Sequence, residues 1–164
     1  CQLCILPYNR VVADLNGWAV EEFLDRLRQV ATVSQPGAPV PGSPGTCACY
    51  LAGSWHALSF AVDRTRLSVT EALDVSLLQN LVLNPILGIE DPRTSDRVDF
   101  VGGIRGTEEL ERLVDSRRAA VAFSMYPTSV EQLMAISDAG TIMPPKSTWF
   151  EPKLRDAVVI HEID

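Results

Sequence analysis

Apolar residues first recur at helical spacing between positions 18 and 30, where Val20, Phe23, Leu24, Leu27 and Val30 fall on one face. Asn16 stands where a helix cap is expected, and Glu21 and Glu22 follow in the first turn, where carboxylates meet the exposed amide end of a helix. Ahead of this helix, residues 1–7 form an extended apolar run that reads as a strand. Residues 34–45 are dense in proline and glycine, which excludes a helix interior and a central strand and predicts a surface loop. The apolar runs 46–51 and 55–62, separated by Ala52-Gly53-Ser54, predict a hairpin. Asp74 is then placed to cap a helix carrying Val75, Leu77, Leu78, Leu81 and Val82, with Pro85 limiting its length. Residues 91–96 are polar and turn-rich.

The last third has a regular rhythm. Strands are expected at 98–101, 119–125 and 157–161, and helices at 107–115 and 129–139. Ala119-Ala120-Val121-Ala122-Phe123 has no alternating polar face, which suits a strand covered on both sides in a βαβ arrangement. Thr128 with Glu131 makes a capping box, and Gly140 supplies the C-terminal stop. Residues 141–153 show neither period, yet Trp149 and Phe150 argue for an ordered loop. The fold class expected is α/β, with α+β left open: a mixed sheet with a C-terminal βαβαβ segment and a preceding hairpin. The chain begins in a strand without an initiator Met. Residues 1–164 are therefore expected to be the carboxy-terminal domain of a longer protein whose native amino-terminal domain is missing.

Charge narrows the partners. With 14 basic against 21 acidic residues the formal charge is -7, which repels nucleic acid and anionic lipid, and no Lys/Arg cluster compensates. No apolar run approaches the roughly 20 residues that span a bilayer, so the expectation is a cytoplasmic protein with neither nucleic acid nor membrane as partner. The four cysteines are read as buried small hydrophobes. C-x-C on a strand is a poor metal clamp, and no metal is expected. His56 and His161 lie near no nucleophile motif and G-x-S-x-G is absent, which disfavours a hydrolytic triad.

Three segments offer chemistry. Pro144-Pro145-Lys146-Ser147-Thr148 ends in the Lys-Ser/Thr order of a phosphate-binding loop. The two prolines, however, contribute no N–H to wrap a phosphate, so a Walker motif is excluded. A looser anion contact can still combine Lys146, Ser147, Thr148 and Lys153; the alternative is a lysine covering a packed loop. Gly102-Gly103-Ile104-Arg105-Gly106 lies between a strand and a helix, where α/β sheets bind ligands, and makes Arg105 an anion candidate, although the glycines equally suit a tight turn. Tyr8-Asn9-Arg10 places a phenol, an amide and a guanidinium beside a strand, and adds Arg10.

Ile5-Leu6-Pro7-Tyr8-Asn9-Arg10-Val11-Val12, Asp74-Val75-Ser76-Leu77-Leu78-Gln79-Asn80, Asn84-Pro85-Ile86-Leu87-Gly88-Ile89 and the run from Met143 to Leu154 occur in this order. Together they resemble the carboxy-terminal half of the bacterial family of domain of unknown function 1015. The resemblance implies an amino-terminal region, absent here, that is similar to the partition-protein and sulfiredoxin-like fold of free-serine kinases. It therefore implies a small-molecule phosphotransferase using ATP or ADP with magnesium. Its own amino-terminal domain and a phosphorylated metabolite or nucleotide would be the partners. Family members usually carry histidine at the position of Asn9. The other implied reading is a non-catalytic module packing on the amino-terminal domain.

Overall fold

The computed structural model describes residues 4–152. The expected strand at 157–161, together with Lys153 and His161, lies outside them. β1 (Cys4–Leu6) and β2 (Tyr8–Val12) are separated by Pro7, and α1 (Val20–Val30) runs directly into β3 (Ala31–Ser34). Hairpin β4 (Thr46–Leu51) and β5 (Ser54–Phe60) follows, turning on Ala52 and Gly53, both at positive φ as a two-residue hairpin turn demands. Next come α2 (Asp74–Leu78), continued by a π-helical turn over Gln79–Leu83, then β6 (Val98–Gly102), α3 (Glu108–Asp115), β7 (Val121–Met125), α4 (Val130–Asp138) and β8 (Trp149–Glu151).

Six strands form one sheet in the order β3-β5-β4-β7-β2-β6, and β1 with β8 forms a separate ribbon. The mixed α/β class holds, but every described pairing is antiparallel. The expected βαβ unit is present in split form. β6 and β7 are joined by α3 and run in the same direction, while β2 lies between them, antiparallel to both. β7, apolar except for Ser124, is buried along its length because both sheet faces are covered. One face packs Val12, Cys47, Cys49, Leu58 and Phe123 against Phe23 and Leu27 of α1, Leu78 and Ile136. The other packs Val11, Tyr50 and Ala122 against Leu110 and Val114 of α3.

Three caps differ from expectation. α1 begins at Val20, with the Glu22 carboxylate accepting the Ala19 N–H at 3.0 Å. Asn16 instead adopts left-handed backbone and donates its side-chain amide to the Ile86 carbonyl. Asp74 is the first residue of α2 and is buried, accepting the Gly45 N–H at 2.7 Å and lying 3.3 Å from Arg64. The box on α4 is Ser129 with Gln132, one residue later than Thr128 with Glu131. In each case a competing tertiary hydrogen bond takes the side chain that local pattern assigns to the helix. Gly140, at positive φ, ends α4 as expected, donating to the Ser137 carbonyl while Thr141 donates to Ile136. Among the described residues no helix is long and apolar enough to cross a membrane.

The proline- and glycine-rich loop is laid onto the sheet. Gly37 donates to the Trp55 carbonyl at 2.9 Å. A Cβ at Gly37 would fall 2.2 Å from the Ala57 nitrogen and 2.5 Å from the His56 carbonyl carbon. Because backbone cannot yield as a side chain can, Gly37→Ala is expected to destabilise the protein by about 1–3 kcal/mol in denaturant unfolding. Beneath this loop His56 is buried on β5. Burial, aided by Arg28 and opposed by Glu21, holds its imidazole below the ordinary value of 6.5. Above that value both folded and unfolded chains keep it neutral. As pH falls, the unfolded chain binds a proton that the fold resists, so this contribution to stability is lost through the folded pKa. Thermal unfolding between about pH 7.5 and 5.5 should show a fall in Tm that shrinks in His56→Leu.

Candidate functional site

β2 carries a charged residue among β-branched ones, and the sheet register decides where it goes. Arg10 stands opposite Phe100 on β6 and Phe123 on β7, on the face that also holds Val12. Its side chain is only 4% exposed. The guanidinium lies 5.4 Å from the Phe100 ring centroid, donates through Nη1 to the Tyr8 carbonyl and through Nη2 to the Lys146 carbonyl at 3.0 Å. Among the described residues no carboxylate pairs with it. Cys47, its charge-sensing neighbour, cannot serve as counter-ion, since burial pushes that thiol well above its usual range and keeps it protonated. Burial lowers the Arg10 pKa to about 10, leaving it charged at neutral pH.

Arg10 opens onto a cleft of about 440 Å³. Its walls are Val75 and Ser76 of α2, Gln79 of the π-helical turn, Glu90 to Arg93 from the following loop, and Pro144 with Pro145. Gln79 donates its amide nitrogen to the Ile89 and Glu90 carbonyls at 2.8 and 3.2 Å, which settles its orientation. Gln79 Oε1 is then a buried acceptor without a donor among the described residues. Such an orphan costs about 1–3 kcal/mol until a partner arrives. At the rim Arg93 grips Asp91 through both carboxylate oxygens, and these bonds lower the Asp91 pKa to about 2.

The predicted site residues divide. Lys146 lies beside Arg10, but its carbonyl faces the guanidinium, while its exposed ammonium stands 5.3 Å from the Tyr8 ring centroid and its backbone is left-handed. Ser147 is buried and donates its hydroxyl to the Pro144 carbonyl at 2.6 Å, and Thr128 donates to the Ser147 carbonyl. Ser147 therefore closes its own loop. Thr148 is half-buried next to it. Arg105 is apart from this group, lining a second depression with Phe100, Glu109 and Trp149 and lying 3.8 Å from Glu109. Lys153 is outside the described residues. The glycines before Arg105 serve packing: a Cβ at Gly102 would meet the Trp149 ring at 2.6 Å, and one at Gly103 would meet Pro7 at 2.8 Å. Asn9 is buried, and its side-chain oxygen accepts the Met125 N–H at 3.0 Å, extending the ladder where β2 leaves β7.

Gln79, Glu71, Glu90 and Asp91 are absent from the sequence-derived candidates. The one available signal for Gln79 is a Gln-Asn pair interrupting the apolar run from Leu77 to Leu83. Nothing local connects it to Arg10.

No curated protein matches this chain. Among solved structures it is similar to a free serine kinase mutant in complex with AMP, with a TM-score of 0.49 and 11% identity over 90% of this chain and 54% of that one. A second mutant of a free serine kinase with AMP gives 0.46 at the same identity and coverage. The chain thus spans about half the length of these structures. Residues 1–76, which include Arg10, β2 and the hairpin, match the model described as Protein of unknown function (DUF1015).

Proposed function

We propose that this chain is part of a cytoplasmic small-molecule phosphotransferase and that the cleft over Arg10 holds an anionic group of its ligand. The observation carrying this reading is the buried guanidinium, without a carboxylate partner among the described residues, lining a cleft of metabolite size. A buried charge is costly unless something completes it. A phosphoryl or carboxylate oxygen is the natural complement, because two carbonyls engage only part of the five-donor fork. Phosphoryl transfer depends on positioning and charge neutralisation, which is chemistry that Arg10, with Lys146 at the rim, can supply. The remaining catalytic groups, and ATP or ADP with magnesium, belong on this reading to the amino-terminal domain.

A second reading, a non-catalytic module packing on that domain, is favoured by Val130 and Met134, one turn apart on α4 and both exposed, with Ile142 91% exposed nearby. The two separate on one residue. In the full-length protein, inorganic phosphate or ADP should raise the Tm, and Arg10→Met should weaken that binding about tenfold or more while the far-ultraviolet spectrum is retained. Arg10→Lys, which keeps the charge, serves if the Met variant does not fold. An undiminished ligand-induced shift in both variants would remove Arg10 from the site and favour the packing module.

A further inference from the structure

Residues 141–148 contain neither helix nor strand, so no hydrogen-bond ladder fixes their path. Pro145 and Lys146 form the centre of a turn, with proline in its second position and a left-handed residue, Lys146 at φ 56°, in its third, as a type II turn requires. Two buried residues hold this turn in place. Ser147 donates its hydroxyl to the Pro144 carbonyl at 2.6 Å, and Thr128, from the loop before α4, donates to the Ser147 carbonyl at 3.2 Å. The Lys146 ammonium over the Tyr8 ring adds a contact to β2.

What the turn delivers to the cleft is a carbonyl. The bond from Arg10 to the Tyr8 carbonyl is local to one strand, whereas the Lys146 carbonyl, 136 positions away, ties the guanidinium to a cleft wall that Pro144 and Pro145 also line. We propose that Ser147 and Thr128 are positioning residues for Arg10. By fixing the Lys146 carbonyl they hold the guanidinium plane, and with it the donors that the two carbonyls leave over, in one orientation for an anion. A fork already held in place loses less freedom on binding than a free arginine side chain does. This rests on the anion-binding reading of Arg10 and gives the Pro-Pro-Lys-Ser-Thr segment a part that it plays through its backbone.

In the full-length protein the Arg10 guanidinium reports its own orientation by nitrogen magnetic resonance. A fork held at both Nη atoms gives two separate resonances, a freely rotating one gives a single averaged resonance, and Arg10→Lys identifies the signals by their loss. Thr128→Val and Ser147→Ala should merge the Arg10 pair and weaken binding of inorganic phosphate about threefold or more, the worth of one hydrogen bond. Thr128→Ser, which keeps the hydroxyl, should preserve both properties. Separate resonances in both Thr128→Val and Ser147→Ala would overturn the positioning role, and so would a Thr128→Ser variant that behaves like Thr128→Val, since that traces the effect to packing. Resonances that merge as expected while phosphate affinity is unaltered, or absent from the wild-type protein, would instead overturn the anion-binding reading of Arg10 alone.

Discussion

β2 makes backbone hydrogen bonds along both of its edges, to β6 over all five of its residues and to β7 over three of them. By occupying the slot between the two strands that α3 connects, it prevents them from pairing with each other and imposes antiparallel pairing on the sheet. It also carries a residue near the start of the chain into the interior. Arg10 thereby comes to lie beneath a loop that follows α4, whose Lys146 carbonyl caps it. The β1–β8 ribbon, pairing Leu6 with Trp149, anchors the other end of that loop. Trp149 then packs edge-on to Tyr8, with centroids 5.3 Å apart, over a surface that only a glycine at 102 leaves open.

Burying a guanidinium is unfavourable unless its charge and donors are matched. Here the matching is partial: two carbonyls and the face of Phe100 stand in for water, while the protonated Cys47 contributes no counter-charge. Gln79 is in the complementary position, with its donor nitrogen satisfied and its acceptor oxygen not. Elsewhere arginines meet carboxylates directly, across the fold in Arg97 with Asp14 and within a helix in Arg112 with Glu109. Among the described residues, a buried guanidinium without a carboxylate partner and a buried amide oxygen without a donor are therefore exceptions, and both belong to residues that line one cleft. Local departures from full satisfaction are characteristic of sites that a ligand completes.

Elements were the most legible part of the chain. The 3.6-residue period of α1, the glycine turn of the β4–β5 hairpin and the strand–helix alternation over residues 98–139 each follow from side chains close in sequence, and each has its counterpart in the fold. The caps were less legible. Asn16, Asp74 and Thr128 carry the right functional groups, but tertiary acceptors and donors at Ile86, Gly45 and Ser147 compete for them. Lys146, Ser147 and Thr148 follow one another in sequence, yet a left-handed residue and an internal hydroxyl bond turn their polar groups in different directions.

Although β3 and β8 escaped it, the sequence by itself determined the helices α1, α3 and α4, the β4–β5 hairpin and the strands β6 and β7, that both faces of β7 are covered, and that Arg10 is a cation beside a strand. These depend on periodicity and on residue chemistry, which are local. Only the tertiary structure decided that β2 enters between β6 and β7, that Arg105 belongs to a different surface, and that Gln79 and Glu90 line the same cleft as Arg10. Strand order is set by long-range burial and by closing hydrogen-bond ladders between segments about 90 to 110 residues apart, a constraint that no window of sequence contains.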